Sequence, residues 1–535
     1  MSNTQKTARS LSGIAGIVAV ATLISKVFGL VRQQAIAAAF GVGPAVDAYS
    51  YAYVIPGFLL ILLGGINGPF HSAIVSVLAK RDKSEAAPIV ETITTLVGAI
   101  LLLATVVLIM GAGFFIDLVG PGLSQQVRAI AIPQLQIMAP MAVLAGLIGI
   151  GFGTLNAADM YWLPSVSPLF SSITVIIGIS VLALQLGHEI TAPKYVLLGG
   201  MVLAWGTLSG AILQWLVQLV AQWRAGLGKL RLRFNWKHPG VQQVLKVMGP
   251  ATLSSGMLQI NLYTDLFFAS SIAGAAAAMS YAGLLVQTPL GIISNVILVP
   301  LLPIFSRLAA PENWPELKQR IRQGLFLTAI TMLPLGALMI TLAVPIVQVV
   351  YQRGAFKNQA SQLVASLLVV YGIGMFVYLA RDVLVRVFYA LGDGETPFRI
   401  SIINIVLNGV LDYFLVKPLG APGLILATVS VNVTSTVALL WLLNRKINGL
   451  PWREWTWPML GLTGASVVAG LVSWGVSWGC NQVFHTSNLW VQLLQLSLAG
   501  LSGLGIFALL ATRLNLPEVD IFVARVRQKL GKSRG

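Results

Sequence analysis

Lys26 and Arg32 are the only charged residues between Ile14 and Phe40. The stretch that holds them is otherwise apolar enough to span a bilayer, where a charge at mid-depth costs at least ~2.5 kcal/mol and marks a protein interior or a water-filled pathway. Two cations in such a place suit chemistry on something anionic. They are six residues apart, about 120° around a helix, and so cannot share one narrow stripe. Gly29 lies between them and offers a bend that would turn both toward one cavity. The competing reading is that either side chain snorkels to an interface. Asp47, further on, reads equally as their partner or as a charge favoured at a helix N-terminus.

Other constellations lie deeper in the chain. Gly64, Gly65, Asn67, Gly68, Pro69 and His71 form a breaker-rich patch in apolar sequence. A bend there, downstream of Pro56, would expose backbone polar groups and bring Asn67 and His71 to a ligand; glycine-mediated helix packing is the alternative. Asn404, Asn408 and Asp412 recur every four residues and make one polar stripe, and Thr428 and Asn432 make another. Carboxylate, amide and hydroxyl oxygens suit a hard cation such as Na⁺, while hydrogen bonding that merely packs two helices is the rival reading. Asp265 is a further carboxylate in an apolar run. Arg381, Asp382 and Arg386 also lie within one such run, and the i, i+4 spacing of Asp382 and Arg386 predicts an ion pair.

The elements that must position these residues are membrane helices. Of 535 residues, 56% are hydrophobic and 10% charged, with a mean hydropathy of +0.84. Apolar runs of about 20 residues recur along the whole length. They predict an all-α polytopic membrane protein with about fourteen spans, the first over 14 to 40, the second over 46 to 79, the ninth over 325 to 351 and the last over 489 to 511. The net charge of +17 does not gather into a nucleic-acid surface. Its bases fall in alternate loops, and by the positive-inside rule both termini are cytoplasmic. Cys480 is the only cysteine and His is scarce, so neither a disulfide nor a zinc enzyme is expected. Loops are short and acid-poor, which argues against catalysis. A basic linker over 223–246 separates an N-terminal lobe, 1–222, from the later spans. Those divide into 247–446 and 447–512, with a basic tail over 513–535. Gly/Pro-interrupted segments recur in the two parts, as in transporters that rock two bundles around a central site.

Three stretches carry a family resemblance. Ser25 to Arg32, continuing through Phe40-Gly41 to Asp47-Ala48-Tyr49, resembles the N-terminal signature of the lipid II flippases, the MurJ/MviN family of the MOP exporter superfamily. Tyr281-Ala282 with Gln287 to Gly291 and Pro300 to Pro303 is similar to the family's eighth helix, and Phe388 to Asp393 with Thr396-Pro397 to its signature between helices ten and eleven. The resemblance implies two six-helix lobes around a central cationic cavity, two additional C-terminal helices, and transfer of an undecaprenyl-diphosphate-linked saccharide from the inner to the outer leaflet of the bacterial plasma membrane, without covalent chemistry. It implies that Lys26 and Arg32 contact the diphosphate and that Asp47 matches the family's acidic position; Asn67 and His71 join them as substrate-binding candidates from the breaker-rich patch alone, where a hydrogen-bonded core histidine is the more common reading of His71. It places a Na⁺ site on Asp265, Asn408, Asp412, Leu424 and Thr428; no cofactor is expected apart from Na⁺ as an optional coupling ion, with the membrane potential as the other driver. Gly29, Pro56, Arg381, Asp382 and Arg386 are structural or gating positions, and a monomer among membrane lipids is expected. The chain departs from the family where Pro56 is followed by Gly57-Phe58-Leu59-Leu60-Ile61 instead of a basic pair, where Gly283-Leu284-Leu285 replaces an arginine, and where Gln33 replaces an acid. Those losses keep two rivals in view: a flippase for another lipid-linked glycan, and a cation-coupled multidrug exporter.

Overall fold

The computed structural model describes residues 11–65, 68–78, 81–257, 260–483 and 488–519. Among these the chain is helical. In order, it forms α1 (Leu11–Phe40), α2 (Pro44–Gly64), α3 (Pro69–Leu78), α4 (Lys83–Met110), α5 (Ala112–Val119), α6 (Gln125–Met138), α7 (Met141–Ala157), α8 (Trp162–Val166), α9 (Leu169–Leu186) and α10 (Val196–Arg224). The chain continues with α11 (Pro239–Met257), α12 (Ile260–Ala269), α13 (Ala275–Arg307), α14 (Trp314–Thr341), α15 (Ala343–Tyr351), α16 (Asn358–Ala390), α17 (Glu395–Leu419), α18 (Ala421–Lys446), α19 (Trp452–Val483) and α20 (Leu489–Arg513).

Eleven helical stretches among the described residues are long and apolar enough to cross a membrane, or twelve if α6 and α7, bent by 42° at their junction, make one span. The expected count of fourteen is not reached by that measure. α1 occupies the stretch read as the first span, and α11 and α12 lie between the basic linker and α13. The ninth differs in position. α14 begins at Trp314 instead of 325, because its polar first turns belong to the helix, where Arg320 reaches Glu316 at 3.3 Å across one turn, and α15 (Ala343–Tyr351) covers the end of the expected stretch. Outward faces are apolar, with Leu184 86% exposed, as helices bathed in lipid require.

The chain divides into two compact units. One holds residues 1–277 together with Arg353–Phe356; the other holds Ala278–Gln352 and 357–535. The division falls at Ala277, and the basic stretch 223–246 lies inside the first unit. In the first unit, α2 packs on α6 and α7, α10 on α9, and α1 on α8 and α9. Small residues let α2 and α7 meet closely: a Cβ at Gly149 would come within 1.9 Å of the Leu63 carbonyl oxygen. Gln134, fully buried, donates from Nε2 to Gly200 O at 2.9 Å and Ala45 O at 3.3 Å, which ties α6 to α10 and α2. The basic linker is held against α4, where Glu91 accepts from Arg233 Nε at 3.1 Å and from the Lys229 N–H at 3.0 Å. In the second unit, α14 packs on α16 and α19, α18 on α16 and α17, and α19 on α20.

Candidate functional site

α1 runs unbroken through Gly29, so Lys26 and Arg32 sit on one continuous helix, about 9 Å apart along its axis. Both are half-buried. Lys26 forms no hydrogen bond or ion pair with another described residue. Arg32 is more constrained, because its Nε is buried and has no hydrogen-bond partner. An N–H so placed is costly until an acceptor arrives.

The neighbours of Arg32 come from α2. Tyr49 and Tyr53 lie close enough to feel its charge. Their rings stack with centroids 5.6 Å apart and an interplanar angle of 17°, and the Tyr49 hydroxyl meets Thr207 Oγ1 of α10 at 2.8 Å. Gly57 belongs to the same arrangement: a Cβ there would come within 2.4 Å of Tyr53 Cε1. The space at Gly57, directly after Pro56, is taken up by the Tyr53 ring. Pro56 itself lies inside α2 and is buried. Neither tyrosine nor Thr207 stands out as a ligand in the sequence. The i, i+4 spacing of Tyr49 and Tyr53, which puts both on one face, is the signal that marks them.

Asp47 has a different role. Its Oδ2 accepts the Gly274 N–H and its Oδ1 the Ala277 N–H, each at 3.1 Å, and it is buried. A carboxylate holding the first free N–H groups of α13 satisfies orphan donors and opposes the positive end of that helix. The geometry corresponds to the helix-terminus reading, served on a helix distant in sequence, and Asp47 is not paired with Lys26 or Arg32. His71 lies 2.8 Å from Asn156 through Nε2 and Nδ2; an amide nitrogen can only donate, so the ring accepts. This is a hydrogen-bonded core arrangement between α3 and α7. Asn67 lies outside the described residues.

In the second unit, Asn408 and Asp412 are buried on α17, with Asn408 Nδ2 donating to Asp412 Oδ2 at 2.9 Å. Thr428 of α18 donates to Asn408 Oδ1 at 3.5 Å, and Asn432 Nδ2 to the Thr428 carbonyl at 2.7 Å. Leu424 is buried one turn before Thr428. These residues come together as one oxygen-rich patch, and Asp265, on α12, belongs to the first unit. The predicted Asp382–Arg386 ion pair does not form. Arg386 Nη1 donates instead to the Leu298 carbonyl at 3.1 Å, and Arg381 Nε to Ser435 Oγ at 3.1 Å. With both guanidiniums drawn to α13 and α18, Asp382 is left exposed.

Comparison with known proteins agrees with the resemblance seen in sequence. The family described as "Lipid II flippase MurJ" matches residues 36–495. A relative from Synechocystis sp. named "Probable lipid II flippase MurJ" is 58% identical over 529 residues, covering 99% of each chain. Another from Burkholderia cenocepacia, named "Lipid II flippase MurJ", is 30% identical over 472 residues, covering 85% of this chain and 88% of its own. A solved structure described as "Lipid II flippase MurJ, inward closed conformation" superposes with a TM-score of 0.74 at 23% identity, covering 92% of this chain and 97% of that one.

Proposed function

This chain belongs to the lipid II flippase MurJ family, and from that premise we propose that it carries lipid II, the polyprenyl-diphosphate-linked peptidoglycan precursor, from the inner to the outer leaflet of the bacterial plasma membrane. It works by alternating access as a monomer with both termini in the cytoplasm, and it is a transporter and not an enzyme. The observation that carries the reading of the site is Arg32. Its buried Nε lacks an acceptor, and a diphosphate oxygen is the strongest acceptor such a group meets, since a hydrogen bond between ionised partners is about twice as strong as a neutral one. Lys26, on the same helix, adds a second positive charge. Leu60 and Leu284 stand near positions where relatives carry arginine, so a larger share of the anion's charge falls on these two bases. That loss also keeps a different lipid-linked glycan as the second reading of the substrate.

The test is growth of cells depleted of their own lipid II flippase. The wild-type chain restores growth, Arg32→Ala abolishes rescue and Lys26→Ala weakens it, at equal amounts of membrane-inserted protein. Full rescue by both variants would remove the bases from the transport site.

Reorientation needs a driver. We assign it to Na⁺ at Asn408, Asp412, Thr428 and the backbone near Leu424, where one carboxylate among neutral oxygens suits a monovalent hard cation. Membrane potential adds to this, at ~2.3 kcal/mol per charge per 100 mV. NaCl in place of choline chloride raises the melting temperature of the wild-type protein and leaves Asp412→Asn unmoved. An equal response of the two proteins would place the ion elsewhere.

A further inference from the structure

The second unit contains a cavity of about 540 Å³ among α14, α15, α16, α19 and α20, within the range of small-molecule sites. Its lining contains no charged residue. It contains instead Gln348, Gln362, Asn481 and Gln492, together with Trp474 and Trp478. None of the four amides makes a side-chain hydrogen bond to another described residue. They gather here from four different helices, Gln362 and Asn481 exposed and Gln348 and Gln492 half-buried, so their polar atoms are open to a ligand. The two tryptophans are four residues apart and so share one face of α19. Both are more than half exposed.

We infer that this cavity binds an uncharged sugar headgroup carried on a lipid. A pyranose ring offers a ring of hydroxyls, each donor and acceptor, which matches amides, and an apolar face of C–H bonds, which matches an indole. The alternatives fit less well. A phosphate would find no cation in the lining, and an acyl chain would leave the amides unsatisfied. The depth agrees: Gln362 is four residues into α16 and Gln492 three into α20, within about 6 Å of where those helices begin, the level at which headgroups and interfacial tryptophans lie. This inference is independent of the role of Arg32, since it uses other residues and a different ligand chemistry.

Native mass spectrometry of the full-length protein in a sugar-free detergent tests it, with diglucosyl diacylglycerol, phosphatidylglycerol of the same acyl chains, and free maltose. The glycolipid is retained about ten-fold more than phosphatidylglycerol, and maltose competes with it. The double variant Gln348→Leu/Gln492→Leu loses that preference without changing phosphatidylglycerol retention. Trp478→Phe keeps the preference and Trp478→Leu loses it, an independent check should the double variant fold poorly. A polyprenyl-diphosphate disaccharide that competes with the same sensitivity to these variants identifies the sugar as that of the transported lipid; without such competition the ligand is a membrane glycolipid. Equal retention of the two diacyl lipids, or a preference unaltered in every variant, overturns the proposal.

Discussion

An N–H buried without an acceptor destabilises a protein by roughly 1–3 kcal/mol, so folding alone gives no reason to keep Arg32. Asp47 is the opposite case, with both carboxylate oxygens filled by backbone donors. The two residues should therefore part company when removed. Arg32→Met is expected to melt at or above the wild-type temperature while failing to support growth. Asp47→Asn, which keeps one acceptor and loses the charge, is expected to cost about 1–2 kcal/mol of stability. Thermal unfolding of purified protein beside the growth assay separates them; a large stability loss in Arg32→Met would make that arginine structural. Sequence made Arg32 conspicuous because a charge in an apolar run is visible without coordinates. It left Asp47 divided between two roles because its partners, Gly274 and Ala277, are more than two hundred positions away and contribute only backbone. Tyr49, Tyr53 and Thr207 are hidden for a similar reason: polar aromatics and threonines are ordinary in membrane helices until a third element brings them to a charge.

Helices were the most legible level, since each needs about 20 apolar residues and this chain repeats that pattern throughout. Their ends were less so. α14 begins eleven residues before the apolar run because its charged turns are amphipathic helix, and the predicted Asp382–Arg386 pair yielded to partners on neighbouring helices. The turn between α16 and α17 shows how an end is secured. Asp393 accepts the Thr396 N–H at 3.0 Å and the Lys446 ammonium, at the end of α18, at 2.7 Å. Partial burial pushes its carboxyl up, but the hydrogen bonds from Lys446 and Thr396 outweigh that and hold it below the ordinary carboxylate range. A carboxyl with a depressed value in the folded state adds stability above its unfolded value of ~3.9, and that stability is lost as pH falls through the folded value. Asp393→Asn should therefore cost less than about 1 kcal/mol at neutral pH, as suits a partly exposed pair, and the difference should shrink below about pH 4. Melting curves across that range check the sign; a difference that grows on acidification would mean that the pair is not what Asp393 contributes.

At the scale of the molecule, contacts divide the chain at Ala277. The first unit draws in a piece of chain from far downstream: the Ala355 N–H donates to the Ala38 carbonyl at 2.8 Å, at the end of α1. Gly354 has φ +56°, and a Cβ on it would meet Ala38 O at 2.3 Å, a contact neither backbone can relieve. Gly354→Ala is expected to destabilise by about 1–3 kcal/mol through strain and clash, seen as a lower melting temperature and greater protease sensitivity near Phe40. An unchanged melting temperature would mean that the contact is dispensable. The same bond bears on biosynthesis. Translation proceeds at roughly 5–20 residues per second, so the ribosome needs on the order of fifteen seconds to a minute to pass from Ala38 to Ala355. Throughout that interval the end of the first helix waits in the bilayer for its partner. The newborn chain is most exposed to quality-control proteases then, and slow codons between the two positions would lengthen the wait.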